Sequence, residues 1–234
     1  MKNSENLTSI SSFEAQHQSP APFAGHDTKP GAASTQSSLT RTHSLLARLH
    51  QQAECSESEP DRSLKYMAIS PEAGKLLYML IRNLKPEQVF EFGTSMGVSG
   101  LYLASALEDN GRGQLISCEL DKGKVEKARS HFSKAGLDHR IQLCQGDALQ
   151  MVSGLPGPID FVFLDGHKEL YLPLLKALEP KLADSALVVA DDTHKFANKL
   201  ASYLDYVREP GKGFISSTPL TCGDGMELSL FARG

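Results

Sequence analysis

No stretch of this 234-residue chain approaches the ~20 apolar residues of a membrane span, and its N-terminus lacks the ~7–15-residue apolar core of a secretory signal. Membrane insertion and secretion are both disfavoured. Basic blocks are missing too. The 24 lysines and arginines stand against 28 acidic residues, a net charge of −4, with no cluster of the kind that tracks a phosphate backbone. Nucleic acid is therefore not the expected partner. Cysteine is sparse: Cys55, Cys118, Cys144 and Cys222 show no C-x-x-C spacing, and two of them lie in apolar strand-like runs, as free thiols in a reducing compartment do. A cytoplasmic protein is expected. The length suits one well-buried domain with a tail and is short for two large ones.

What is present is a repeated pattern. Five short apolar runs each end on a carboxylate: Glu91 after Val89-Phe90, Glu119 after Leu115-Ile116, Asp147 after Ile141, Asp165 after Phe161 to Leu164, and Asp191-Asp192 after Leu187 to Ala190. In open α/β sheets ligands bind outside the carboxyl ends of parallel strands, so acids repeated there point to one crevice. Residues 1–40 are dominated by Ser, Thr, Gln, Pro, Gly and Ala without periodicity, which predicts a disordered tail. Leu45, Leu46 and Leu49 at helical spacing predict a helix and linker over 41–62. The folded domain is expected over 63–234.

Within that domain Ser70-Pro71-Glu72 starts a helix whose stripe is Ala73, Leu76, Leu77, Leu80 and Leu84, and Lys85-Pro86 stops it. Strands are expected near 88–93, 114–120, 141–146, 159–165 and 186–191, and helices near 97–108, 122–135, 169–182 and 195–207. The alternation predicts an α/β, Rossmann-like doubly wound sheet, mainly parallel. Two closing strand-like runs, Ser216 to Leu220 and Met226 to Arg233, have no helix between them and predict a hairpin that adds an antiparallel C-terminal strand.

Gly93-Thr94-Ser95-Met96-Gly97 follows a strand and opens a helix, so its backbone can approach a ligand while the helix N-terminus offers free N–H groups. It is neither the dinucleotide G-x-G-x-x-G nor a P-loop. Glu91 beside it would repel a pyrophosphate and attract an amine or sulfonium. Glu119, at the end of the next strand, can accept both hydroxyls of a ribose. Bland readings stay open: a tight turn explains the glycines, a helix N-terminus explains Glu119 and Asp121, and Gly146-Asp147 is a common turn.

The segment Val89 to Ser99, then Glu119, then Gly146-Asp147-Ala148, resembles the class I S-adenosylmethionine-dependent methyltransferases. More narrowly, it resembles the cation-dependent O-methyltransferases of the catechol and caffeoyl-CoA type, from about Met67 to the C-terminus. The resemblance implies transfer of a methyl group from S-adenosylmethionine to a hydroxyl of a small phenolic or catechol-like acceptor, assisted by a divalent cation such as Mg²⁺. Ile159 to Lys168 matches the family segment whose terminal Asp binds the metal and whose Lys is the general base, which puts Asp165 and Lys168 in those roles. Ala190-Asp191-Asp192 matches an Asp-Asn pair of metal ligands, with Asp192 in place of the Asn. By the same resemblance Met67 and Ile69 line the methionine side of the cofactor pocket, and Glu91, Gly93 and Gly97 belong to its loop. Ser95 and Ser99 then contact its carboxylate, Glu119 its ribose, and Asp147, Ala148, Asp165 and His167 the region of the adenine and the methyl. His167 and His194 are rival bases. Lys168 beside a dication would have its own pKa depressed, which would allow an amine base near neutrality. A homodimer is an expectation of resemblance alone. Two rival readings are an aminopropyl transferase on the same fold and a non-catalytic nucleoside-binding module; the presence of Lys168 and the late acids weighs against both. No Asn/Asp-Pro-Pro-aromatic or Pro-Cys motif supports methylation of nucleic acid.

Overall fold

The computed structural model describes residues 36–61, 63–219 and 224–232. The expected tail falls almost wholly on residues 1–35, outside the described residues. The first helix, α1 (Ser38–Cys55), starts three residues before the expected boundary because Ser37 caps it, its side chain accepting Thr40 N–H at 3.1 Å. Its Leu45, Leu46 and Leu49 are buried. In α2 (Pro71–Leu84) Ser70 is the N-cap and Pro71 the first helical residue, as expected. The buried face of α2 is Ala73, Gly74, Leu77 and Ile81, while Leu84, expected on the stripe, is 42% exposed in the last turn.

From there strand and helix alternate: β1 (Gln88–Phe92), α3 (Val98–Asn110), β2 (Gln114–Glu119), α4 (Lys122–Ala135), β3 (Ile141–Gln145), α5 (Ala148–Gly154), β4 (Ile159–Leu164), α6 (Tyr171–Leu178), β5 (Leu182–Asp191), α7 (Ala197–Arg208), β6 (Phe214–Ser217) and β7 (Met226–Phe231). The seven strands lie in the order β3-β2-β1-β4-β5-β7-β6. β1 to β5 pair in parallel, whereas β7 runs antiparallel to both β5 and β6. The fold is the expected Rossmann-like sheet, although α6 ends at Leu178 rather than 182, β5 begins at Leu182 rather than 186, and two further differences concern whole elements. A short helix, α5, intervenes between β3 and β4, and the first strand of the closing hairpin lies at Phe214–Ser217 rather than 216–220.

Side chains alternate between the two faces of the sheet with the period of two that strands impose. Val89, Leu115, Phe161, Phe163 and Val189 pack with α1 to α4, and Phe90, Ile116, Val162, Leu164 and Val188 pack with α5 to α7. β1 and β4 are covered on both sides and are accordingly rich in apolar residues, with Glu91 of β1 and Asp160 of β4 as the charged exceptions. Helix α3 is buried at every position from Val98 to Leu107, sandwiched beneath α1 and α2. The chain crosses from the β1–β3 half of the sheet to the β4–β5 half between β1 and β4, so their carboxyl ends form the switch-point crevice.

Candidate active site

Two groups of residues face each other across the ends of β1 and β4. The joint between them is Gly93, at φ +100°: a Cβ there would stand 2.5 Å from the carbonyl oxygen of Asp165. Only glycine lets the loop after β1 come this close to the turn after β4. Gly97, at φ +85°, caps α3 without a side chain, and a Cβ on it would meet Phe132 at 2.8 Å. The loop is pinned from below, where Cys118 O accepts Gly93 N–H at 3.0 Å and Thr94 N–H at 3.1 Å.

Glu119 fastens the loop from the side. Its Oε2 accepts Ser95 N–H at 2.8 Å, and its Oε1 accepts Leu120 N–H at 2.9 Å and Asp121 N–H at 3.0 Å. Capping of α4 itself falls to Asp121, which accepts Lys124 N–H at 2.9 Å, so Glu119 is not needed for the cap. Beneath the loop a chain of hydroxyls runs from Thr94 through Ser117 to Glu91 Oε2. Glu91 is fully buried, and burial raises its carboxyl to about 7 although hydrogen bonds from Ser117 and Ser99 favour the anion. Glu91 Oε1 and Ser95 Oγ are buried with no hydrogen-bond partner among the described residues. Buried polar atoms are nearly always paired, so these two mark a place for polar groups of a ligand.

The remaining cofactor-side residues divide. Ile69 is buried and Met67 is 37% exposed, both in the stretch between α1 and α2. Asp147 caps α5, accepting Leu149 N–H at 2.8 Å and Gln150 N–H at 3.4 Å, and Ala148 is the buried first residue of that helix. His167 is exposed and its Nδ1 lies 2.7 Å from Glu169 Oε2, and His194 is exposed as well.

The second group gathers around Lys168. Its Nζ donates to Asp192 Oδ2 at 2.7 Å, to Asp165 Oδ1 at 3.2 Å and to the Tyr171 hydroxyl at 2.7 Å, and lies over the rings of Tyr171 and Phe196. The Tyr171 hydroxyl in turn donates to Asp191 O at 3.4 Å. Tyr171 was absent from the sequence expectations. Its signal was there in the three-residue spacing Asp165, Lys168, Tyr171, which stacks side chains along one side of a helical turn. Asp192 takes its place through a left-handed backbone, φ +64°, a conformation that Asn and Asp tolerate better than most residues.

Three acids share one ammonium. Burial, with the charge of Asp192 added and Lys168 opposing, raises the Asp165 carboxyl to about 6; burial and the charge of Asp165 raise Asp191 to about 8. For Lys168 burial disfavours the charge, but Asp165 and Asp192 together outweigh it and hold the ammonium above its ordinary pKa. Its two carboxylate neighbours stabilise that proton, whereas a dication held by the same acids would oppose them, and the amine base expected of Lys168 is the form such a cation would favour. The donor set is of the hard, oxygen-only kind that suits Mg²⁺ or Ca²⁺, and its excess negative charge suits a dication. Among the described residues, however, no three metal-binding side chains already converge on one point; the Lys168 ammonium lies between two of the acids.

Comparison with known proteins places this geometry. Residues 90–193 match the family model described as a methyltransferase domain. A catechol O-methyltransferase of Niastella koreensis is 32% identical over 130 residues, 54% of this chain and 58% of that enzyme's length. A caffeoyl-CoA O-methyltransferase of Petunia hybrida is 28% identical over 184 residues, 69% of this chain and 75% of that one. Among solved structures, the O-methyltransferase TomG of Streptomyces achromogenes in complex with S-adenosylmethionine superposes with a TM-score of 0.69 at 25% identity, covering 80% of this chain and 89% of its own. An O-methyltransferase of Bacillus cereus shares the fold with a TM-score of 0.65 at 20% identity, covering 80% of this chain and 90% of its own.

Proposed function

We propose that this chain, which matches a methyltransferase-domain model over residues 90–193 and is similar to catechol and caffeoyl-CoA O-methyltransferases, transfers the methyl group of S-adenosylmethionine to a hydroxyl of a small phenolic or catechol-like acceptor. The observation that carries the reading is the contact between the two halves of the crevice. Gly93 brings the loop after β1, with unpaired Ser95 Oγ on it and unpaired Glu91 Oε1 on the strand before it, against the turn that holds Asp165 and Lys168, so a cofactor seated on one is next to chemistry on the other.

The sulfonium already activates the methyl, so the protein's task is alignment and control of charge on the attacking oxygen. Glu119 and the loop backbone would hold the adenosine, and Glu91 the cationic amino end. Lys168 would face the acceptor hydroxyl and take its proton as general base, its own pKa lowered by the charge of a cation held on the neighbouring acids. Asp165, Asp191 and Asp192 are the residues that would hold a divalent cation, which would lower the hydroxyl pKa. Tyr171 and Phe196 position the lysine. No described helix is long and apolar enough to cross a membrane, and a cytoplasmic setting with a small-molecule acceptor belongs to the same proposal.

Lys168→Met tests it. With labelled S-adenosylmethionine and a panel of catechols, turnover is expected to fall by about two orders of magnitude or more, while cofactor affinity measured by calorimetry stays within about twofold. Undiminished turnover would overturn the assignment.

A further inference from the structure

Three sulfur-bearing side chains that methyl transfer does not use lie on the sheet face covered by α5 to α7. Cys118 on β2 and Cys144 on β3 are direct register partners, so both side chains leave the sheet on the same face. The Cys118 thiol donates to Met151 Sδ, on α5, at 3.3 Å. Cys118 is buried, whereas Cys144 and Met151 are half-buried, and β3 is the edge strand, so the group can be approached from the rim of the sheet.

Direct partners on neighbouring strands are held about 4.8 Å apart. Side chains that leave the same face of the sheet run alongside each other, so their Cβ vectors do not converge as a disulfide requires. Such a pair is better placed to hold an atom between its sulfurs than to bond to itself. Thiolate and thioether donors are soft, and select Cu(I)-like ions over Mg²⁺ or Ca²⁺.

We propose that Cys118, Cys144 and Met151 form a binding site for a soft monovalent cation of the Cu(I) type. Two thiolate–metal bonds form, Met151 adds its thioether, and the two thiol protons leave to solvent; no oxidation state changes. The site is coupled to the crevice through the backbone. Cys118 O carries Gly93 N–H and Thr94 N–H, and Glu119 O accepts Gly146 N–H at 2.9 Å, so a cation that draws β2 and β3 together disturbs the loop that receives the cofactor. The cation site rests on the sulfur geometry alone, and only the coupling rests on the cofactor reading.

The test uses Ag(I), a redox-inert probe, titrated into the full chain carrying Cys55→Ser and Cys222→Ser and followed by thiolate-to-metal absorbance. S-adenosylmethionine affinity is measured in parallel, with circular dichroism as a check of folding. The expected result is one Ag(I) per chain, an affinity loss of about a hundredfold in Cys144→Ser and about tenfold in Met151→Leu, and cofactor affinity that falls about fivefold or more on loading only when Cys144 is present. Equal Ag(I) binding in Cys144→Ser, or a Cys118–Cys144 disulfide formed in air, overturns the site. Tight one-to-one Ag(I) binding with unchanged cofactor affinity supports the site and overturns the coupling. Failure to bind cofactor at all would count against methyl transfer while leaving the Ag(I) stoichiometry intact.

Discussion

Glu91 is a carboxyl with one oxygen paired and the other not, raised to about 7 by burial against the pull of Ser117 and Ser99. Its ordinary value is 4.5, so between about 4.5 and 7 the folded chain holds a proton that the unfolded chain has released. The stability tied to this group is therefore complete below 4.5 and is lost as pH rises to about 7, by roughly 3 kcal/mol. Glu91→Gln should remove that slope: in thermal melts it is expected to gain on the parent from pH 5 to pH 8. A cationic ligand favours the anion, so the same substitution should weaken S-adenosylmethionine binding, most of all at pH 8. Parallel melting profiles across this range would show that another group carries the slope. Glu119 is a different case, already holding three backbone N–H groups and thereby fixed in place. Because a hydrogen bond to a charged acceptor contributes about 1.5–3 kcal/mol, Glu119→Gln is expected to weaken cofactor binding about 10- to 100-fold in calorimetry. Unchanged affinity would remove the ribose assignment.

At the scale of elements, the turn after β4 has to accommodate three acids and one ammonium. If a dication shares that cluster, exhaustive chelation should lower methyl transfer about tenfold or more and restore it on Mg²⁺ addition, with cofactor binding unmoved because Glu119 and the loop lie on the other side of Gly93. Turnover that survives chelation would leave Lys168 as the cluster's only positive charge. Much of this region was legible beforehand for a physical reason. β1, β4 and the second half of β5 are rich in apolar residues that are covered on both faces, so their carboxyl ends and the acids on them could be placed to within a residue or two. Helix α5 was not legible, since seven residues are too few to show a helical period and Gly146-Asp147 suits a turn as well as a place beside an adenine; in the structure Asp147 caps the helix. β6 was displaced because an edge strand need bury little: Ile215 is 68% exposed, and the apolar pattern fades there. The ionic form of Lys168 depends on Asp192, a neighbour 24 positions away that only the folded sheet brings to 2.7 Å.

For the molecule as a whole, the sheet separates two apolar layers, and the site lies at the ends of the strands that belong to both. α1 is joined to the first layer at several points. Ser38 N–H donates to Asp109 Oδ1 at 2.7 Å, the Tyr78 hydroxyl of α2 donates to the other oxygen of the same carboxylate at 2.7 Å, and His50 Nε2 lies 3.1 Å from the Tyr102 hydroxyl on α3. Leu49, fully buried beneath it, belongs to the same cluster as Leu101 and Phe132, and Phe132 is the ring that a side chain on Gly97 would meet. A cavity at Leu49 should therefore be felt as stability more than as geometry of the loop, because the interposed α3 is packed at every position from Val98 to Leu107. Leu49→Ala is expected to cost about 2–5 kcal/mol, seen as a melting temperature lower by roughly 5–15 °C for a domain of this size. Cofactor affinity at 25 °C should stay within about twofold of the parent's, because additivity holds for sites separated by a rigid layer. A loss of affinity in step with the loss of stability would mean instead that α1 and the cofactor loop form one cooperative unit, with α3 passing the disturbance on through Phe132.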